Sequence, residues 1–183
     1  MQKIETNLSG CFVIQPQVFG DHRGRLVKTF HHETFRELNL EVEYSESYYS
    51  VSNKGVLRGL HFQRPPHSQV KLVTCVSGKL LDVVVDVRLH SSTYGQYFAI
   101  ELSPQNASML YIPEGFAHGF YAMEDNTILQ YFGSAMFHSK SDGGIRWDSC
   151  GIEWPDMSPI LSVKDQNMPS LEEFDSPFKL EAV

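Results

Sequence analysis

The stretch Met109–Phe120, MLYIPEGFAHGF, decides most about the fold of this chain. It places two short apolar runs on either side of Pro113, Glu114 and Gly115, and a proline followed two positions later by glycine is typical of a tight turn. His118 stands between small residues where the second run begins. The stretch therefore predicts strand, turn and strand, with one imidazole on the second strand. A single histidine of this kind is most simply a hydrogen-bonded core residue.

A second stretch, Gly55–Gln63 (GVLRGLHFQ), has the apolar rhythm of a strand but carries Arg58, His61 and Gln63. Together the two stretches resemble the paired signatures of the cupin barrel, of which P-x-G-x-x-H is the second. The first signature normally supplies His-x-His and a glutamate, which bind a metal with the later histidine. Here Phe62 and Gln63 follow His61 and no glutamate precedes RPPHSQ, so two imidazoles and one amide make a poor ligand set for a divalent ion. We therefore expect a cupin-type pocket with no metal and no cofactor.

Most of the remaining chain alternates short apolar runs with turn residues, which favours an all-β barrel or sandwich. The predicted strands are GCFVIQPQVF, GRLVKTF, EVEYSESYYSVS, VLRGLHFQ, QVKLVTCV, KLLDVVVDVR, GQYFAIELS, SMLYIP, GFAHGFYAM, TILQYFGSAMF and GIRW. HHETFRELNL at 31–40 is the clearest helix, and the tail predicts loops with one short helix opened by Ser170 or a neighbour. The predicted fold is an all-β, cupin-type jelly-roll barrel with short helices in the N-terminal region and in the C-terminal tail.

The length of 183 residues fits a single domain 1–183, with a barrel core at about 10–155 and a tail at 156–183. A net charge of −7 and a pI of about 5.6 argue against a nucleic-acid partner, which needs clustered Lys and Arg, but a few arginines in a pocket can still hold a diphosphate. Cys11, Cys75 and Cys150 lack C-x-x-C spacing and are predicted to be reduced thiols. No leader segment or long apolar run stands out, so we expect a cytoplasmic chain with no membrane partner.

The segments QVKLVTCV and KLLDVVVDV predict a hairpin whose two loop residues are Ser77 and Gly78. In that register one face of the sheet holds six side chains: Lys71, Val73, Cys75, Leu80, Asp82 and Val84. The other face is apolar enough to be core. Lys71 and Asp82 therefore either point to solvent or line a polar cavity, and a small barrel that holds one ligand favours the cavity.

The order of these segments resembles the dTDP-4-dehydrorhamnose 3,5-epimerase family. The matching segments run from VFGDHRG through GVLRGLHFQ, KLVTCVSGKLLDVVVDVR, STYGQY, LYIPEGFAHGF, GIRW and GIEWP to LSVKD, nearly the whole chain. The resemblance implies a metal-free barrel, a homodimer with exchanged N-terminal strands, and a nucleotide-linked 4-keto-6-deoxyhexose as substrate. It also implies inversion of C3, with or without C5, in deoxysugar supply for surface polysaccharide such as lipopolysaccharide O-antigen.

The resemblance also assigns catalytic roles. A ketone at C4 makes the hydrogens on C3 and C5 removable, and inversion needs a base on one face of the ring and an acid on the other. The family match makes His61 the base, oriented by Asp165, and Tyr131 the opposite proton donor. Lys71 matches the residue that stabilises the negative oxygen at C4, and Asp82 shares its face of the sheet.

A larger set of residues is implied to bind the substrate: Phe19, Arg23, Lys28, Glu46, Tyr48, Arg58, Gln63 and His118. Arg58 and Arg23 match diphosphate contacts, and in the family the latter comes from the partner subunit. Strict alternation would place Arg58 on the strand face opposite His61. We therefore expect either a bulge at Gly59 or a pocket reached from the end of the strand.

Two departures from the family pattern concern the nucleotide. The family usually shows a QDNHS-like run where this chain has ESYYS at 46–50, and an acid where Lys28 stands. Both positions match the nucleoside-binding region. These exchanges predict a base other than thymine, as in CDP or another pyrimidine diphosphate.

A third departure surrounds the proton donor, because Met136 and Phe137 replace a tyrosine pair and Phe132 replaces a lysine. An enzyme that inverts C3 alone is therefore an alternative to one that inverts both centres. A 3,4-ketoisomerase, a non-catalytic sugar-binding cupin and a metal-dependent cupin oxygenase are further alternatives. The presence of His61 and Tyr131 argues against the non-catalytic one.

Overall fold

The computed structural model describes residues 1–179, and these residues form thirteen strands and two short helices. The strands are β1 (Gln2–Glu5), β2 (Phe12–Gln15), β3 (Val18–Asp21), β4 (Gly24–Val27), β5 (Glu46–Ser52), β6 (Leu57–Gln63), β7 (Lys71–Ser77), β8 (Leu80–Asp86), β9 (Tyr97–Leu102), β10 (Met109–Ile112), β11 (Phe116–Ala122), β12 (Thr127–Gly133) and β13 (Asp142–Gly144). The helices are α1 (His32–Glu37) and α2 (Val163–Gln166). Among the described residues, no helix has the length and apolar character required to cross a membrane.

Two antiparallel sheets form the body of the molecule. One has the strand order β1-β2-β10-β7-β12-β5 and the other the order β13-β6-β11-β8-β9, while β3 and β4 form a separate two-stranded hairpin. Apart from the β1–β2 and β8–β9 pairs, neighbouring strands within each sheet are not consecutive in the chain, as in a jelly roll. The predicted all-β, cupin-type jelly-roll fold is confirmed.

Side chains from both sheets meet in the barrel interior. Val73 and Cys75 of β7 pack there with Leu80 and Val84 of β8, as the period-2 alternation of strands requires. Asp82 lies between Leu80 and Val84 on the same face and is fully buried. The prediction that these side chains lie on one face is therefore correct, and the polar side chains of that face point into the barrel.

The predicted hairpin between β7 and β8 is wrong. β7 lies between β10 and β12, and β8 lies between β11 and β9 in the other sheet. Gly78, with φ +72°, carries the chain from one sheet to the other, so the two strands face each other across the interior. Both β7 and β8 carry apolar side chains on their two faces. Because the chain crosses between the sheets after β7, each strand becomes a central strand of its own sheet and is covered on both faces.

The outer faces of the two sheets are covered by the ends of the chain. Phe35 of α1 packs with Leu72 of β7, which confirms the predicted N-terminal helix over a slightly shorter range. Phe174 and Phe178 of the tail pack with Val83 on the other sheet. The tail therefore belongs to the same packed body as the barrel.

The predicted start of the tail helix at Ser170 is wrong. The helix is α2, opened by Ser162, whose hydroxyl accepts a hydrogen bond from the Asp165 amide at 3.1 Å. Ser170 exchanges hydrogen bonds with Glu173, but these close only a turn. The chain leaves that turn so that Phe174 can enter the core.

Candidate active site

The barrel interior opens into two adjoining cavities. The main cavity has a volume of about 440 Å³ and is lined by side chains of both sheets and by the tail segment 160–165. The side cavity has a volume of about 490 Å³ and is lined by Glu46, Gln63, Gln69, Phe137 and Asp142 among others. Both cavities share four residues: Tyr48, His61, Lys71 and Lys164. Polar groups that converge on a concave site of this size are typical of a small-molecule site.

His61 and Asp165 form a hydrogen-bonded pair at the wall of the main cavity. Nε2 of His61 lies 2.5 Å from Oδ1 of Asp165, and the aspartate side chain is only 4% exposed. Burial alone would raise the pKa of Asp165, but the hydrogen bond and charge of His61, with the help of Ser162, outweigh it and the pKa is lowered. The carboxylate therefore stays ionised and fixes the ring, so that Nδ1 of His61 is the nitrogen available as a base.

A β-bulge brings Arg58 to the same cavity as His61. Between β6 and β11 the register changes from His118↔His61 to Phe120↔Arg58, so two residues of β6 oppose Gly119. Gly59 has φ +124°, and a Cβ there would lie 2.5 Å from the Cα of Gly119. The first of the two predicted explanations, a bulge at Gly59, is therefore confirmed. The guanidinium of Arg58 donates to the Ser52 hydroxyl at 3.0 Å.

His118 and Asp82 form a second, deeper histidine–aspartate pair. Nε2 of His118 lies 2.8 Å from Oδ1 of Asp82, and their side chains are 3% and 0% exposed. His118 is the direct cross-strand partner of His61. Burial raises the pKa of Asp82, while His118 and Lys71 oppose the rise. The second carboxylate oxygen, Oδ2, is buried with no hydrogen-bond partner among residues 1–179.

Tyr131 of β12 enters the main cavity from the opposite sheet. Its ring stacks on Tyr48 at a centroid distance of 4.7 Å and meets the His118 ring edge-on at 6.1 Å. Burial raises the pKa of Tyr131 well above its ordinary value. The phenol is therefore protonated at neutral pH and can donate a proton to a bound ligand.

Lys71 contributes a cation that lines both cavities. Burial lowers its pKa to about 8, against the opposing effect of Asp142 and Asp82. The ammonium is thus charged at neutral pH but close to titration. A charge held in a poorly solvated site interacts strongly with any negative oxygen that forms nearby.

Three predicted ligand-binding residues lie around the side cavity. Glu46 lines it, but its carboxylate also accepts a hydrogen bond from the Phe137 amide at 3.1 Å. The side-chain amide of Gln63 is hydrogen-bonded to the main chain of His67, Met136 and His138. Gln63 therefore positions the loops at the rim of the side cavity. Tyr48 supports the Tyr131 ring.

Phe19, Arg23 and Lys28 do not line either cavity within one chain. Arg23 lies in the turn of the β3–β4 hairpin with its side chain 79% exposed and paired with Asp21. Phe19 and Lys28 line a separate groove beside His31. A single chain therefore does not bring these residues to His61.

Sequence reasoning missed Lys164 and Asp142. They form an ion pair across the side cavity, and Lys164 lines both cavities. The position of Lys164 next to Asp165 was the one signal available. Within the described range, no group of three or more His, Cys, Asp or Glu side chains is arranged to hold a metal ion.

Comparisons with known proteins identify close similarities. The sequence model described as dTDP-4-dehydrorhamnose 3,5-epimerase matches residues 5–173. The dTDP-4-dehydrorhamnose 3,5-epimerase of Methanothermobacter thermautotrophicus is 44% identical over 177 residues, which cover 93% of this chain and 94% of the relative.

Two crystal structures show the same similarity in three dimensions. The dTDP-6-deoxy-D-glucose-3,5-epimerase RmlC from Legionella pneumophila, in complex with dTDP-4-keto-L-rhamnose, has a TM-score of 0.94 and 34% identity and covers 99% of each chain. A double mutant of ChmJ, a 3'-monoepimerase from Streptomyces bikiniensis in complex with dTDP, has a TM-score of 0.88 and 30% identity. The match covers 92% of this chain and 87% of ChmJ.

Proposed function

This chain belongs to the dTDP-4-dehydrorhamnose 3,5-epimerase family, and on that premise we propose that His61 and Tyr131 invert carbon centres of a nucleotide-linked 4-keto-6-deoxyhexose. The protein is then an isomerase of deoxysugar biosynthesis. One observation carries the assignment of roles: a carboxylate-bound imidazole, a phenol and a half-buried ammonium line one cavity.

The proposed mechanism divides the reaction between these three groups. Nδ1 of His61 removes the proton next to the ketone, and Asp165 stabilises the imidazolium that results. The electron pair moves onto the C4 oxygen, where Lys71 stabilises the enolate. Tyr131 then delivers a proton to the other face of the same carbon, which inverts it.

The ChmJ structure supports the choice of His61 and Tyr131. In that double mutant one histidine is replaced by asparagine and one tyrosine by phenylalanine, and the two positions are as far apart along the chain as His61 and Tyr131 are here. The decisive test is incubation of the protein with an NDP-4-keto-6-deoxyhexose in deuterium oxide. We expect NMR to show deuterium at the inverted carbon, and no incorporation at any ring carbon would overturn the proposal.

The number of inverted centres is decided by the same experiment. The Legionella relative is named a 3,5-epimerase and ChmJ a 3'-monoepimerase. Met136 and Phe137 are 70% and 60% exposed, and Phe137 lines the side cavity. A sugar ring that rotates to present first C3 and then C5 to the base would contact Phe137 there. We propose inversion at C3, and label at both C3 and C5 identifies the two-centre enzyme.

A second copy of the chain is proposed to complete the site. All eight residues of β3 and β4 are exposed or half-buried, and the hairpin pairs with neither sheet. β1 and β2, in contrast, join the sheet of their own chain. We therefore propose a homodimer in which the β3–β4 hairpin is the exchanged element and brings Arg23, Phe19 and Lys28 to the partner's cavity.

Mixing two inactive variants tests this exchange. In a heterodimer of His61→Ala and Arg23→Ala, the site built on the Arg23→Ala chain keeps its own His61 and receives the intact Arg23 of the other chain. We expect the mixture to regain activity that neither variant has alone. Absence of recovery, with heterodimers verified by mass spectrometry, would place Arg23 in its own chain's site.

The identity of the nucleotide base is tested by binding measurements. The relatives are named for dTDP, whereas the ESYYS run at 46–50 and Lys28 predict a base other than thymine. Calorimetric titration with dTDP, CDP, UDP and GDP compares them directly. Tightest binding of dTDP would rule out the other bases.

A further inference from the structure

The cavity holds two histidine–aspartate pairs side by side. His61 and His118 are register partners on neighbouring strands, and each binds an aspartate oxygen through Nε2, at 2.5 Å and 2.8 Å. Directly opposed side chains on antiparallel strands lie close enough to interact. The proposed mechanism uses only the His61 pair and leaves the buried Asp82–His118 pair without a task.

Each inversion leaves the two catalytic groups in the wrong protonation states. His61 has gained the proton taken from the sugar, and Tyr131 has lost the proton it delivered. The next turnover in the same direction requires a neutral His61 and a protonated Tyr131. Burial of Tyr131 makes its phenolate unfavourable, so the proton has a strong tendency to return.

We propose that His118, held by Asp82, carries this proton from His61 back to Tyr131 after each inversion. This inference rests on the proposed function. The His118 ring is adjacent to both groups, as the cross-strand partner of His61 and with its centroid 6.1 Å from that of Tyr131. Its Nε2 is bound to Asp82, and its Nδ1 has no hydrogen-bond partner among the described residues.

The transfer is balanced in two proton steps. Imidazolium His61 gives a proton to neutral His118, and imidazolium His118 then gives one to phenolate Tyr131. The net change is neutral His61 and a restored phenol, with no other reactant. The His61 side chain is 29% exposed, so its N–H proton exchanges with water between turnovers and the inverted sugar still gains deuterium in deuterium oxide. Asp82 suits the task because its carboxylate stabilises a transient imidazolium, as an aspartate does beside a general base. The charged groups that line the cavity around this relay are Arg58, Lys71, Lys164 and the His61–Asp165 pair.

The test compares the first turnover with later ones. In His118→Gln the amide can keep a hydrogen bond to Asp82 but cannot carry a proton. We expect a burst of one inverted sugar per site, followed by a steady-state rate that is lower than the burst rate by roughly tenfold or more. We also expect added imidazole buffer to restore the steady-state rate, because a diffusible base can replace a missing relay.

Controls separate this role from a structural one. His32→Gln makes the same exchange on the exposed surface of α1 and should show no burst and no response to imidazole. Asp82→Asn keeps the side-chain shape and provides a second variant, which should also show a burst and rescue. An equal loss of first-turnover and steady-state rates, a steady state like that of the native protein, or no rescue by imidazole would overturn the relay. Absence of deuterium exchange in the native protein would instead overturn the proposed function, and the relay with it.

Discussion

Nε2 of His61 lies 2.5 Å from Oδ1 of Asp165, although the two residues are 104 positions apart. One belongs to a barrel strand and the other to a short helix of the tail. This single contact ties the proposed base to the tail segment that lines the main cavity. It therefore affects both the chemistry and the stability of the fold.

Replacement of His61 by alanine should abolish exchange without abolishing binding. In the proposed mechanism the imidazole removes the sugar proton, whereas the diphosphate is proposed to contact other groups, such as Arg58. We expect deuterium incorporation to fall by at least about 100-fold and nucleotide affinity to change little. NMR and calorimetry measure the two effects. His32→Ala is the surface control, and unchanged turnover of His61→Ala would end the assignment of the base.

The Asp165 contact also predicts a dependence of stability on pH. The folded-state pKa of Asp165 lies below its ordinary value of 3.8, so its stabilising effect is full above that value and is lost as the pH falls through the folded pKa. We expect Asp165→Asn to lower the free energy of unfolding by about 1 to 3 kcal/mol at neutral pH. The free energies of unfolding of the native protein and of Asp165→Asn, measured by denaturant titration, should converge at acidic pH. A difference that stays constant down to pH 2 would contradict this prediction.

Lys71 should set the alkaline limit of activity. Its pKa of about 8 means that the ammonium is lost as the pH rises through that value, and the enolate then loses its stabilising charge. We expect kcat/KM to decline above about pH 8, since this parameter reports the free enzyme. Lys71→Arg should lower the plateau but remove this decline, because guanidinium keeps its charge. An unchanged alkaline limb in Lys71→Arg would assign it to another group.

Tyr131→Phe should separate proton removal from inversion. The variant keeps the ring stacked on Tyr48 but has no phenolic proton to deliver. We expect His61 still to exchange the ring hydrogen for deuterium with retention, while inverted product falls by roughly 100-fold or more. Chromatography of the products and NMR of the recovered substrate distinguish the two. Inversion at the native rate would show that another group is the acid.

Gly59 should tolerate no side chain. A Cβ there would lie 2.5 Å from the Gly119 Cα, and the φ of +124° is itself unfavourable for other residues. We expect Gly59→Ala to destabilise the fold by about 2 to 4 kcal/mol. Gly151→Ala is the matched control, since Gly151 has φ +66° and no atom within 4 Å of an added Cβ. Its cost should stay near 1 kcal/mol, and equal thermal midpoints for the two variants would refute the steric argument.

Several features of the site were predictable because their signal is local. Alternation along β7 and β8 placed Lys71 and Asp82 on one face, and that face points inward as expected. The spacing of Arg58 and His61 required either a bulge or an end-on approach, and Gly59 supplies the bulge. Family motifs identified His61, Tyr131 and Asp165, but no local pattern indicated that they would meet.

The sequence by itself determined the all-β class, the inward faces of the strands and the family. These depend on a two-residue period and on short motifs, which are local properties of the chain. The tertiary structure decided that β7 and β8 belong to different sheets, that Asp165 reaches His61, and that the β3–β4 hairpin stays off both sheets. A two-residue turn such as Ser77-Gly78 can close a hairpin or cross between sheets. Which one forms depends on the surfaces that segments far apart in the chain bury together, and that free energy is not encoded near the turn.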